Sequence, residues 1–115
     1  MGSKYQYNCS NCDYSVMCCG EESSGYIAVI NSYTCHDCNE VVDVNIGLMM
    51  EVFDANNIES ELKKYQFTDT FKAEEFYTCP ECHGKNITVW SESDFSCPKC
   101  HSKMQIDYEN VMMWD

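Results

Sequence analysis

The chain has no arginine, and only seven lysines stand against nineteen acidic residues, for a formal charge of -12 over 115 residues. Nucleic acids are held mainly by lysine and arginine neutralising phosphates, with arginine the commonest reader of guanine. Only Lys63 and Lys64 are adjacent, and Glu59 and Glu61 flank them. The expectation is therefore no nucleic-acid partner. Long apolar runs are also missing. Nothing approaches the ~18 residues of a membrane span, and no charged-then-apolar leader opens the sequence. No membrane association and a cytoplasmic location are expected. A nucleophile–base arrangement, a glycine-rich phosphate loop and a general-base motif are all lacking too, so the chain does not read as an enzyme. Aliphatic segments are few, and bodies of roughly 40 residues rarely bury enough apolar surface to fold unaided.

What the sequence does have is ten cysteines. Eight of them form four Cys-x-x-Cys pairs: Cys9 with Cys12, Cys35 with Cys38, Cys79 with Cys82, and Cys97 with Cys100. Two intervening residues let both thiolates of a pair reach one ion from one turn, and two such turns complete a tetrahedral shell. In a reducing compartment this density of cysteine means metal or redox chemistry rather than disulfides. The expected cofactor is Zn2+, two per chain, with iron possible on the same ligand set. Each zinc tetrathiolate adds two negative charges, which takes the chain to about -16.

The spacers within the first and second halves, 13–34 and 83–96, are shorter than the gap at 39–78. Loop-closure entropy then favours sequential pairing, with Cys9, Cys12, Cys35 and Cys38 on one ion and Cys79, Cys82, Cys97 and Cys100 on the other. A crossed arrangement, first pair with third, would close longer loops. The corresponding division is a first metal-bound module at 1–46, a connector at 47–77 and a second module at 78–115.

An aromatic residue stands two positions before each pair, at Tyr7, Tyr33, Tyr77 and Phe95, which suits a strand leading into a turn. Asp13, Asn39, His83 and His101 directly follow the pairs, and these types tolerate positive φ best after glycine. Strand-like runs occur at 26–30, 41–46 and 87–90. In the connector, Asp54 is an N-cap candidate, followed by Ile58, Leu62 and Tyr65 at helical spacing. The fold class is thus small, β-rich and metal-stapled, with one short helix.

These features resemble the zinc-ribbon superfamily with its rubredoxin-like knuckle. Cys79-Pro80-Glu81-Cys82 and Cys97-Pro98-Lys99-Cys100 look most like its knuckles, and the first unit resembles small bacterial zinc ribbons. The resemblance covers about 5–46 and 75–108 and implies two ribbons with structural zinc. It says little of function, since ribbons serve docking, scaffolding and nucleic-acid binding alike. Rubredoxins typically place glycine after the second cysteine, and here none does, which weakens an iron electron-carrier reading. A protein-interaction or adaptor module remains the leading expectation, its partner a protein with a basic surface. Cys18 and Cys19 read as turn packing, and His36, His83 and His101 as turn residues beside full sites. Met49-Met50 and Met112-Met113-Trp114 read as core or dimer contacts.

Overall fold

The computed structural model describes residues 2–25, 27–64 and 72–114. Its strands are β1 (Gly2–Cys9), β2 (Ser15–Cys18), β3 (Ser23–Ser24), β4 (Ala28–Cys35), β5 (Glu40–Leu48), β6 (Glu51–Val52), β7 (Ile87–Val89) and β8 (Met104–Trp114). The helix α1 (Ile58–Leu62) is short, and 3-10 turns occupy Ala73–Glu75 and Ser91–Ser93. The small β-rich architecture and the helix in the connector agree with the sequence reading.

Two antiparallel sheets result. The first has the order β2-β1-β8; the second runs β3-β4-β5-β6, with β7 sharing an edge of β4 with β3. Pairing of β1 with β8 runs from Gly2 opposite Trp114 to Cys9 opposite Met104. Each sheet therefore draws strands from both 1–46 and 78–115.

The strands follow from period-two burial. In β5, Val42, Val44, Ile46 and Leu48 point inward, and the first three meet Val29, Tyr33 and Cys35 of β4. Val41, on the opposite face of β5, joins the core of the first sheet, where Trp90 is fully buried. Tyr7 meets that indole edge-on at 4.9 Å, Phe95 does so at 5.0 Å, and the ring nitrogen donates to the Ser96 carbonyl at 2.8 Å. A third cluster joins Leu48, Phe53, Leu62 and Phe76. Gly47 permits the tight return from β5 to β6, because a Cβ there would collide with the Glu51 carbonyl.

Asp54 does not cap α1. Its carboxylate accepts from the Asn56 backbone at 2.9 Å and the Asn57 side chain at 3.1 Å, which makes a turn ahead of the helix, and Asn57 occupies the cap position. Ile58 and Leu62 then share a face against Phe53 and Phe76. Tyr65 and Tyr26 lie outside the described residues.

Polar groups join the sheets. The Asp43 Oδ1 of β5 accepts from Ser32 Oγ of β4 at 2.7 Å, and from the Cys19 N–H at 3.2 Å and thiol at 3.3 Å just beyond β2. Lys4 of β1 reaches Asp43 Oδ2 at 3.2 Å, and the Gly20 N–H donates to the fully buried Ser32 hydroxyl at 2.9 Å. Every group in this network has a partner, as burial demands. Nearby, the Val41 N–H donates to Tyr14 Oη at 2.9 Å.

Candidate metal centres

The eight paired cysteines form two quartets, and the pairing is nested. Cys9 and Cys12 meet Cys97 and Cys100, while Cys35 and Cys38 meet Cys79 and Cys82. The sequential expectation is wrong, and so is the alternative of first pair with third. Strand pairing makes the choice. Cys9 ends β1 and the fourth knuckle leads into β8, so the β1–β8 ladder lays the outer two knuckles side by side. Cys35 ends β4 and the third knuckle leads into β7, whose Ile87 lies opposite Cys35. Loop entropy opposes this arrangement only weakly. Closing loops of 40 and then 36 residues rather than 22 and 14 costs about 1.4 kcal/mol at (3/2)RT ln n. The hydrogen bonds of the β1–β8 ladder, at roughly 1 kcal/mol each, outweigh that.

The four knuckles are built alike. The first cysteine pairs through its backbone with the residue five places on: Cys9 N–H to Tyr14 at 3.0 Å, Cys79 to Gly84 at 2.9 Å and Cys97 to Ser102 at 2.7 Å, with Cys35 opposite Glu40 in the β4–β5 hairpin. Backbone N–H groups of Asn11, Cys38 and Lys99 point at the sulfurs of Cys9, Cys35 and Cys97, each at 3.4 Å. Asn39, His83 and His101 have positive φ, as their types suggest. Asp13 does not, although the Cys9–Tyr14 bond closes the first knuckle as in the others. Only Tyr7 and Tyr33 approach their knuckles on strands; Tyr77 and Phe95 are left-handed at φ 54° and 58°. That conformation turns their rings into the core. Phe95 stacks on Tyr7 at 6.0 Å, and the Tyr77 hydroxyl donates to the Phe53 carbonyl at 2.6 Å.

The first cysteine of each pair is buried and the second faces outward, Cys82 furthest. Sulfur separations are 3.3 Å for Cys9–Cys100, 3.6 Å for Cys12–Cys97, 3.7 Å for Cys35–Cys82 and 3.9 Å for Cys38–Cys79. A tetrahedron of sulfurs at 2.3 Å from a central ion has edges of about 3.8 Å. The donor set therefore fits a tetrahedral, thiophilic metal ion, and all four positions are protein sulfur.

Charge makes the same point. The Ser102 N–H, with the Cys9 thiol, holds the Cys100 thiol down to about 6. Cys12 is pushed up to about 12 by burial and by its thiol neighbours, although the Tyr14 backbone favours its thiolate. In the inner quartet Cys35 is lowered by the Cys38 and Asp37 N–H groups against its burial, and Cys38 is raised by its bond with Cys82. Four sulfurs within 4.8 Å of one another cannot all be anionic without a cation among them.

The remaining candidates stay outside both quartets. Cys18 is buried against the first core, and burial pushes its thiol up to about 12. Burial and then Asp43 raise Cys19. Cys18 is a packing thiol, whereas Cys19 departs from that expectation by donating to Asp43. His36 pairs with Thr88 Oγ1 at 3.0 Å, pinning β4 to β7, and neither His83 nor His101 joins a quartet. Met49, Met50, Met112 and Met113 are exposed rather than core residues. No helix among the described residues is long and apolar enough to cross a membrane. No family model matches the chain, and no curated protein or solved structure matches it either.

Proposed function

We propose that this chain is a zinc-stapled protein-interaction module, without catalytic activity of its own, that works in the reducing cytoplasm. The observation that carries the reading is the closure of both quartets: with four cysteine sulfurs around each centre, no position is left for water or substrate. Structural sites of this kind couple metal binding to folding at an apparent ~10–16 kcal/mol per ion. That is more than the small clusters around Trp90 and Val44 would supply alone. The shared knuckle design supports the zinc-ribbon resemblance for the knuckles, although each quartet draws on both 5–46 and 75–108 rather than closing a ribbon within one of them. The acidic surplus supports a basic protein partner over nucleic acid.

The test joins elemental analysis with nucleic-acid titration. Purified protein should carry two zinc ions per chain, be colourless, and show no micromolar affinity for mixed-sequence DNA or RNA at low salt. A red protein would establish tetrahedral ferric thiolate and the electron-carrier reading in its place. Tight, salt-sensitive nucleic-acid binding would overturn the adaptor role.

A further inference from the structure

The first sheet ends in an unusual ribbon. Strand β2 pairs only with Tyr5–Asn8 of β1, so Gly2–Lys4 pair with β8 alone. Beyond β8, no other described strand continues the sheet. Opposite the junction of Tyr5 and Gln6, Tyr108, Glu109 and Asn110 bulge out of the ladder. The bulge is fixed by the Asp107 carboxylate, which accepts from the Glu109 N–H at 3.0 Å and the Asn110 side chain at 2.7 Å. Beyond it the ladder resumes at Val111, and the side chains that follow are apolar and in solvent. Val111 is 47% exposed, Met112 52% and Met113 59%.

Across β1 from this edge, on the side of β2, lies an acidic hollow. Ser3, opposite Met113, bonds its sulfur at 3.3 Å. Ser3 also lines an open cavity of about 500 Å³ with Met50, which is 78% exposed, and with Glu21 and Glu22. Methionine side chains along the edge adapt to varied apolar surfaces. The bulge and its acidic residues blunt the edge over 107–110, but Val111–Met113 beyond it carry no charge and no proline.

We propose that the β8 edge at Val111–Met113 receives an extended segment of a partner protein that alternates basic and apolar residues, added to the sheet as a further strand. The proposal rests on the interaction reading and gives it a surface. Strand addition supplies affinity through main-chain hydrogen bonds, and alternate side chains supply specificity. Charge selects the occupant. Strand β8 carries Asp107 and Glu109 and no cation, the cavity rim carries Glu21 and Glu22, and Lys4, the one cation of β1, is engaged by Asp43. A second copy would bring another chain of formal charge -12 against this rim, so self-pairing is opposed.

The experiment titrates the metal-loaded, isotope-labelled full chain with an octapeptide alternating Lys and Val, read by amide and methionine-methyl shifts. Shifts are expected at 111–113 and at the Met112 and Met113 methyls. Affinity should fall with salt and drop at least tenfold in the Met112→Ser, Met113→Ser double variant, whose changes lie in solvent. A peptide alternating Glu and Val should bind at least a hundredfold more weakly. Shifts confined to the knuckles, or equal affinity for both peptides, would overturn this surface while leaving the interaction reading intact. Silence at millimolar peptide would overturn it as well. A doubled mass with concentration-dependent shifts at 111–113 would make the occupant a second copy and refute the proposal.

Discussion

Replacing Cys97 by Ser separates nested from sequential metal pairing and puts a number on the coupling between the two centres. The variant removes one sulfur from the quartet that contains Cys9, Cys12 and Cys100. Its first effect should fall on amides of β1 and β2 as well as on β8, some 90 residues apart in sequence, whereas sequential pairing would spare residues 2–18. Its second effect is energetic. With the inner centre closed, the outer one must order 22 residues at 13–34 and 14 at 83–96, or 36 in all. With the inner centre open, the outer loop is the full 84 residues of 13–96. The difference in closure entropy, (3/2)RT ln(84/36), is about 0.7 kcal/mol, or roughly a threefold change in affinity. Linkage makes the coupling reciprocal, so losing the outer centre weakens the inner one by at least the same factor. The shared β4–β7 pairing adds to it. Competition of cobalt(II) against a chelator, read by the thiolate charge-transfer band, measures this directly. Cys97→Ser should hold one tetrathiolate ion, with an affinity at least threefold below that of the same site in the parent chain. Unchanged affinity with undisturbed amides at 2–18 would refute the nested arrangement.

Two further outcomes follow from the buried polar groups. Asp43→Ala should destabilise the protein by about 2–4 kcal/mol in chemical denaturation, since it leaves Ser32 Oγ and the Cys19 N–H without their acceptor and Lys4 without its counter-charge, whereas Asp43→Asn, which keeps an acceptor, should cost less. Cys18, raised from 9.0 to about 12, should alkylate at pH 8 in the folded protein roughly a thousandfold more slowly than in the unfolded chain; its stabilising contribution is present below its ordinary value and is lost as pH rises from about 9 toward 12, because only the unfolded chain releases that proton early, so stability that rises with pH over this range would contradict the burial.

All eight ligands could be read from spacing, because the chemistry of a knuckle is local: two thiolates, one turn. Their partnership could not, because it depends on which strands pair, and the entropic preference for short loops amounts to little more than one hydrogen bond. Strand β5 announces itself through Val42, Val44 and Ile46, which alternate with Asp43 and Asn45, and β4 through the apolar run Ala28–Ile30 at its start. Strand β8 alternates apolar and polar residues from Met104 to Glu109, a local signal that a reading by cysteine spacing passes over, and only Asn110–Met113 lose the alternation. That last stretch is a strand because β1 is beside it. Tyr77 and Phe95 misled for the same reason. Their identity suits a strand, but a left-handed backbone carries both, Phe95 against the core around Trp90 and Tyr77 against those around Val44 and Phe53.

Nesting also sets how the molecule bears a load. Gly2 and Trp114 lie opposite each other at one end of the β1–β8 ladder, so tension across them peels the ribbon open one residue pair at a time. The peeling stops at the quartet of Cys9, Cys12, Cys97 and Cys100, and nothing deeper feels force until that centre gives way. Its rupture exposes β2, β4 and β7 to the load, and once these unzip the 36 residues of 13–34 and 83–96 give about 120 Å of slack at ~3.4 Å per residue. The inner quartet is then a second catch, guarding the 40 residues of 39–78, or about 135 Å more. The two ions thus act in series, like concentric clasps, and the protein yields in two lengths set by the positions of its cysteines.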